Sequence, residues 1–366
     1  MNKLKLSSFV LLFIMVVMVV SFPLIALKNN KLNIIKKQFI GEVSEYNGVI
    51  EVWNIDTFEG GTSSKTKYLE TIGLEFSKMY KGLYVLVSSY TPDEANALIS
   101  AGKTPHVVSY GVGSLPLCTE QLIELDSNKN IIDKNILKCG IKENKQLALG
   151  YMKGGYVLVS TKHKLEMARK NLSLKLSNIL YSCSYTKQLK KSTKNIKSLV
   201  YGNSKYLLPE ISIINNGKIN IKELHPKYIT QTNYEAFNEF ILNNAVILLG
   251  NQKDVVRMEN LVRGGKVCDV KYEFLSGANP LVQYVSVFKN TDIITKYSKL
   301  FAEFLLSPFA QKKLKDISMF SVTYNKLYDD GVFADMEKAV SNSFTNINVF
   351  SSIKEIEDIK KNCYLD

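Results

Sequence analysis

The tightest constraint in this sequence is the alternation of short apolar runs and amphipathic segments from Gly48 to Gly113. Val49–Trp53 is an apolar run that empties into the polar, Gly-ended loop Asn54–Gly61. A helical segment follows, with Leu69, Ile72, Phe76 and Met79 on one face at spacings of three and four. Leu83–Val87 is a second apolar run. Thr91-Pro92-Asp93-Glu94 then has the form of a helix start: a capping hydroxyl, a proline in the first turn and an acid three residues after the cap. Gly102 closes that helix, and His106–Tyr110 is the third run. Strands that alternate with helices at this spacing imply a parallel, doubly wound sheet. Sheets of this kind bind ligands beyond the carboxyl ends of their strands, so the loops Asp56–Gly61 and Tyr110–Ser114 are the first places to look for a site.

A length of 366 residues exceeds one ordinary core and suggests two lobes. With 46% apolar and 22% charged residues the chain is globular rather than disordered. Its net charge of +13 invites a nucleic-acid reading, but Arg169, Arg257 and Arg263 are its only arginines. Arginine's planar fork is the preferred group for phosphate and base-edge recognition. The charge here is spread as lysine, and the densest run, Lys187–Lys197, carries no interleaved aromatics. No nucleic-acid partner is expected.

Lys3 and Lys5 precede the apolar stretch from Phe9 to Leu27, which is long enough to span a bilayer. Residues 1–27 therefore read as a signal anchor or a signal peptide, with 28–44 as a polar stalk. Positive charge ahead of the segment sends the remainder outward. The expected location is the extracytoplasmic face of a cell membrane, or outside the cell if the segment is cleaved.

Cys118, Cys139, Cys183, Cys268 and Cys363 are scattered and form no C-x-x-C pair. Cys118 and Cys139 either pair or stay free thiols. His106, His163 and His225 stand alone, so neither a metal site nor a histidine-based triad is expected, and no cofactor is called for. Gly60–Thr66 resembles a phosphate loop, but Ser64 and Glu59 occupy the positions that need glycine. Asp56 and Glu59 sit three apart on one loop, a poor match to two acids flanking a glycosidic bond. The chain is expected not to be an enzyme.

Farther along, Leu147–Ser160 is apolar but broken by Gly150, Gly154 and Gly155, as a strand crossing between lobes would be. Ala245–Leu249 reads as a buried strand running into Gly250-Asn251-Gln252. Gln283–Phe288 is another strand. Ile293, Tyr297, Leu300, Phe301 and Phe304 share one helix face. The expected division is 45–150 plus 270–316 for the first lobe and 151–269 plus 317–366 for the second.

These blocks together resemble a known family. The stretch Val49–Lys78 resembles the opening of extracellular solute-binding proteins of ABC importers, in the large family that includes maltose-binding protein. Ala101–Gly113 is similar to that family's second landmark, with His106 where an aspartate often follows the proline. Tyr234–Leu261 resembles its second-lobe strand and turn, and Leu281–Thr291 with Leu305–Leu314 its late first-lobe strand and helix. The resemblance implies an α/β, two-lobe periplasmic-binding-protein-like fold with a hinge, preceded by the N-terminal hydrophobic helix. It also implies a small solute, carbohydrate by the chemistry of the matched positions, clamped between lobes and delivered to an importer permease by a monomer. Carried over, the site residues are Asp56, Thr57 and Glu59 from the first loop, Ser109 and Tyr110 from the second, and Tyr151 and Tyr156 from the crossing. Asn251, Gln252 and Arg257 come from the second lobe and Tyr284 from the return. Trp53 reads as core packing. Arg257 is expected at a lobe surface, where its loss leaves folding little affected. A membrane-anchored sensor on the same fold is the alternative function.

Overall fold

The computed structural model describes residues 42–115, 119–126, 133–168, 175–185, 197–204, 206, 208–214, 231–323 and 326–363. The expected anchor, the stalk up to residue 41, the turn at Asn215–Gly217 and most of the basic run lie outside them, while the stalk's last residues, 42–44, open the first strand. Among the described residues no helix is long and apolar enough to cross a membrane.

The chain builds a two-lobed α/β structure. It opens with β1 (Glu42–Ile55), α1 (Lys65–Met79), β2 (Tyr80–Tyr90), α2 (Pro92–Ser100) and β3 (Val107–Tyr110). β1 pairs in parallel with β2 on one side and β3 on the other, the arrangement that the alternation predicts. At the start of α2 the Thr91 hydroxyl accepts from the Glu94 N–H, while Glu94 accepts from the Thr91 N–H. This reciprocal cap fixes where the loop stops and the helix begins. Gly102, at φ +79°, ends that turn in the left-handed region. Trp53 is buried and packs its ring 4.9 Å from that of Tyr90, as core.

A short helix α3 (Lys134–Cys139) and the hairpin β4 (Ile141–Lys142) and β5 (Lys145–Gln146) lead into β6 (Leu149–Lys153). The chain then crosses to the second lobe through Gly154 and Gly155. That lobe runs β7 (Tyr156–Thr161), α4 (Lys162–Met167), α5 (Leu176–Tyr185), β8 (Lys197–Tyr201), α6 (Pro209–Ile214), α7 (Asn233–Ile241), β9 (Ala245–Asn251), α8 (Gln252–Arg263) and β10 (Val270–Phe274). The chain returns to the first sheet as β11 (Val282–Val287) and continues through α9 (Asp292–Phe304) and α10 (Pro308–Lys313). The helices α11 (Gly331–Asn342) and α12 (Ile353–Cys363) finish it.

The first sheet has the order β2-β1-β3-β11-β6 and the second the order β10-β7-β9-β8. Neither is wholly parallel. β11 is antiparallel to β3 and β6, because it enters from the other lobe rather than over a helix. β7 is likewise antiparallel to β9 and β10. β10 pairs with β7, so the second lobe keeps the chain past residue 270, and the return falls between Phe274 and β11. The pattern around 270 marks a strand but not its sheet.

The crossings are tied to one another. The Lys153 N–H donates to the Phe320 carbonyl at 2.8 Å, and the Phe320 N–H donates back at 2.9 Å. The Gly154 N–H donates to the Leu281 carbonyl at 2.7 Å. A side chain is excluded at Gly155, where an added Cβ would stand 2.4 Å from Val340 Cγ2 and 3.0 Å from Met336 Cε. The glycines therefore let α11 close directly on the crossing.

One core runs through the first lobe and on to Leu158, Leu199 and Ile247 of the second-lobe sheet, and another cluster fills the rest of the second lobe. In the second, Phe237 and Phe240 of α7 pack with Val159, Leu248 and Met258. Burying each ring contributes about 1.5–3 kcal/mol. A smaller cluster joins the lobes: Val112 of the first lobe and Leu208 and Ile211 of the second meet Ile347 and Ile356 of the C-terminal segment. The C-terminal segment thus touches both lobes instead of belonging to the second alone. Cys139 is a buried free thiol and Cys268 an exposed one, while Cys118 lies outside the described residues.

Gly155→Val should overpack the crossing against Val340 and lower stability by about 1–3 kcal/mol. Urea unfolding would show this as a lower midpoint; an unchanged midpoint would mean that α11 yields freely.

Candidate ligand cleft between the lobes

Strand β1 ends at Ile55, and the chain turns outward through Asp56–Ser64 before α1 begins. The Ser64 side chain accepts from the Lys67 N–H and caps that helix. The loop forms the first-lobe wall of a cavity of about 600 Å³. The opposite wall comes from the second lobe: Ser204 and Tyr206 after β8, Thr232–Tyr234 at the start of α7, and Lys253 of α8. Thr232 and Glu235 form a second reciprocal cap, which presents the first turn of α7 to the cleft.

Asp56 is the anchor of the first wall. Its Oδ1 accepts from Asn54 Nδ2 at 2.9 Å and lies 3.3 Å from Lys65 Nζ, and its Oδ2 accepts from Ser89 Oγ at 3.0 Å. Its side chain is nevertheless 44% exposed, whereas that of Lys65 is wholly buried. Lys65 Nζ also donates to Gln283 Oε1 at 2.9 Å and sits 4.0 Å from the Phe58 ring centroid. Burial pushes the Lys65 ammonium below its ordinary value, opposed by Asp56. Behind Asp56 the network continues: Gln283 Nε2 donates to Ser109 Oγ at 2.9 Å, Ser109 donates to Asn54 Oδ1 at 3.2 Å, and Ser109 shares a 2.8 Å bond with the Tyr151 hydroxyl.

Glu59 and Arg257 span the lobes. Arg257 Nη2 lies 2.8 Å from Glu59 Oε1, and its Nη1 lies 2.7 Å from Asp254 Oδ1. The guanidinium also rests 5.4 Å from the Tyr234 ring centroid and 5.7 Å from that of Phe237. Gln252 Nε2 donates to the Glu59 carbonyl at 2.6 Å, and its Oε1 accepts from the Gly155 N–H at 3.1 Å. Lys253 Nζ donates to the Gly61 carbonyl at 3.0 Å. Beyond these, the Tyr206 hydroxyl donates to Asp93 Oδ1 at 3.1 Å. The lobes therefore stand closed on each other through their own side chains.

Asp254 is buried, with 1% of its side chain exposed. It accepts from the Asn251 N–H at 3.0 Å, and Asn251 Oδ1 caps α8 through the Lys253 N–H at 2.8 Å. Burial pushes the Asp254 carboxyl up to about 6, against the pull of Arg257 and the Asn251 N–H.

Of the residues expected at the site, Asp56, Thr57 and Glu59 line the cavity. Ser109, Tyr110, Tyr151 and Tyr284 are fully buried, and Tyr156 is nearly so. Ser109 and Tyr151 sit in the network behind Asp56. Tyr110 turns the other way and bonds Ser286 Oγ at 2.8 Å. Asn251 caps α8, Gln252 staples the lobes, and Arg257 bridges them. Arg257 is no free surface group, since it is the charged partner of the buried Asp254. Phe58, Tyr206, Tyr234 and Lys253 line the cavity unforeseen. For Tyr234 a signal existed: Thr232-x-x-Glu235 is a helix start, and helix starts in α/β lobes face the strand ends. For Tyr206 the sequence offers none.

Neither family models nor curated proteins match this sequence. Solved structures do match its fold. The GacH receptor of Streptomyces glaucescens, solved unliganded and with acarbose, superposes with a TM-score of 0.57 at 14% identity, covering 88% of this chain and 100% of the receptor. The ABC substrate-binding protein Lmo0181 of Listeria monocytogenes, in complex with cycloalternan, gives 0.57 at 14%, over 86% and 91%. Thiaminase I of Bacillus thiaminolyticus gives 0.57 at 11%, over 86% and 99%. The chain has the two-lobe fold of periplasmic binding proteins. At such identities the likeness is one of fold.

Unfolded, the Asp254 carboxyl returns to its ordinary 3.8, so the folded state holds the proton to higher pH. The stability this adds is complete below about pH 4 and is lost as pH rises through about 6. Against Asp254→Asn, wild-type stability should therefore decline by on the order of 1–3 kcal/mol across that window and then level off. Urea titrations over the same range check this; a constant difference would show that the group ionises alike in both states. Arg257→Met, which strips the buried carboxyl of its cation, should cost about 1–3 kcal/mol near neutral pH, again read from urea midpoints.

Proposed function

We propose that this protein is an extracytoplasmic solute-binding protein that captures a small carbohydrate between its lobes and passes it to an ABC importer permease. The observation that carries this reading is the cavity itself. It lies between two lobes joined by several mutually bonded crossings, and both lobes furnish its walls. Carboxylates, hydroxyls and aromatic rings converge there. Polyhydroxy ligands suit that lining, because rings stack on sugar C–H faces while acids and amides accept and donate to hydroxyl pairs. Fold relatives solved with acarbose and cycloalternan support the same ligand class.

Mechanism is conformational. A ligand that touches both walls favours the closed arrangement by its extra contacts there. The protein works as a monomer, tethered by residues 1–27 on the outer face of the membrane or released if they are cleaved. It binds without turning its ligand over.

Sugars of the right class should raise the melting temperature of the purified chain from residue 39 onward, since they bind only the native state. Tyr234→Ala should remove a stacking face and weaken binding by about 0.5–1.5 kcal/mol, or roughly twofold to tenfold. Calorimetric titration with the sugar found in that screen tests this. Wild-type affinity in Tyr234→Ala would place the ligand elsewhere, and a screen without a single stabilising saccharide would overturn the function.

A further inference from the structure

We infer that the cleft selects a saccharide bearing an ammonium group over its neutral and anionic counterparts. This deepens the solute-binding reading above and rests on it.

The first observation is how the charges of the cleft are spent. Lys65 is wholly buried and committed to Asp56 and Gln283. Arg257 is held between Glu59 and Asp254. Among the described residues lining the cavity, Lys253 is the one cation with exposed surface, and its Nζ is already held to the Gly61 carbonyl. The carboxylates are not spent in the same way. Asp56 and Glu59 both line the cavity and, although each is paired, their side chains stay 44% and 39% exposed. A ligand therefore meets partly exposed carboxylate side chains and few free cationic donors. An anionic sugar entering here would lose its hydration and gain no full countercharge.

The second observation is independent of that tally. Glu59 Oε1 takes the Arg257 hydrogen bond, but Glu59 Oε2 is buried and has no partner among the described residues. A carboxylate oxygen covered without a donor is a standing cost, and once the 39%-exposed side chain turns toward the cavity a charge-assisted N–H donor removes that cost better than a neutral hydroxyl does.

The third is the aromatic lining. Phe58, Tyr206 and Tyr234 stand around the same space, and Tyr234 is 59% exposed. Ring faces attract cations as well as sugar C–H surfaces, and the Arg257 guanidinium already lies against the Tyr234 ring. The net charge of +13 does not oppose this selection at close range. Exposed lysines more than about 8 Å away are largely screened at physiological salt.

Paired sugars that differ only in the group at one carbon test the inference: glucose with glucosamine, mannose with mannosamine, galactose with galactosamine, and cellobiose with its fully deacetylated diamino analogue. Glucuronate serves as the anionic control. Affinities are measured by calorimetry near pH 6.5, where an amine of pKa about 7.7–8.0 is protonated. For at least one pair the amino sugar should bind about tenfold tighter or better, and glucuronate should not compete. That preference should shrink to about twofold in Glu59→Gln or in Asp56→Asn, each confirmed folded by circular dichroism, and should weaken with added salt. Neutral sugars binding as tightly as their amino partners would overturn the inference and leave the solute-binding function standing. A preference unaltered in both variants would overturn the assignment to these carboxylates. Binding by no sugar of either kind would remove the solute-binding reading and this one with it.

Discussion

The structure turns on a buried carboxylate. Asp254 sits in the first turn of α8, where its side chain completes the cap of that helix and loses almost all contact with water. A carboxylate in that position needs a cation, and Arg257, one helical turn on, supplies it. The guanidinium has a second edge to satisfy, and Glu59 of the other lobe meets it. One demand for charge neutralisation inside the second lobe thus becomes a bond between lobes. It also fixes the cleft wall, because Tyr234 lies against the same guanidinium.

A parallel logic governs the first lobe. Asp56 is exposed to the cleft, yet three donors from β1, β2 and α1 hold it in place. Lys65 is buried beneath it because Gln283 and Asp56 together accept its protons. Side chains from β1, β3, β6 and β11 meet in this network, so the cleft surface of the first lobe inherits the rigidity of its sheet. Across the cleft, the Tyr206 hydroxyl of the second wall donates to Asp93 of the first lobe.

Much of the fold could be read from the residues, and the reason is periodicity. The runs at Val49, Leu83 and His106 and the cap at Thr91 specify elements through local rules, and the elements form as specified. What periodicity leaves undetermined is the face. Ser109 and Tyr110 are adjacent on β3, so they point to opposite sides, and neither side is the cleft: one is the polar network, the other the interior at Ser286. Tyr151, Tyr156 and Tyr284 look like binding residues by type, but their strands are covered on both faces, which an apolar run signals only through length and company. The loop residues Asp56, Thr57 and Glu59 were easier to place, since a polar loop at the carboxyl end of a strand has one place to go. Arg257 lies between the lobes as the resemblance implies, but deeper than a lobe surface, because Asp254 is buried and a sequence does not display which charges are buried.

The C-terminal segment gives the two lobes a shared boundary. Ile347 and Ile356 fill a space walled by Val112 of the first lobe and by Leu208 and Ile211 of the second, and an added Cβ at Gly113 would stand 2.1 Å from Ile356 Cδ1. These contacts are made by a segment that leaves the ribosome or a translocation channel after every strand of both sheets. Each lobe can assemble much of its own sheet earlier, but the seat between them stays empty until residue 356 has emerged. Until then the lobes are held by their crossings and by the Arg257–Glu59 and Gln252–Glu59 bonds, and a chain cut after Phe344 would keep these but lack the wedge.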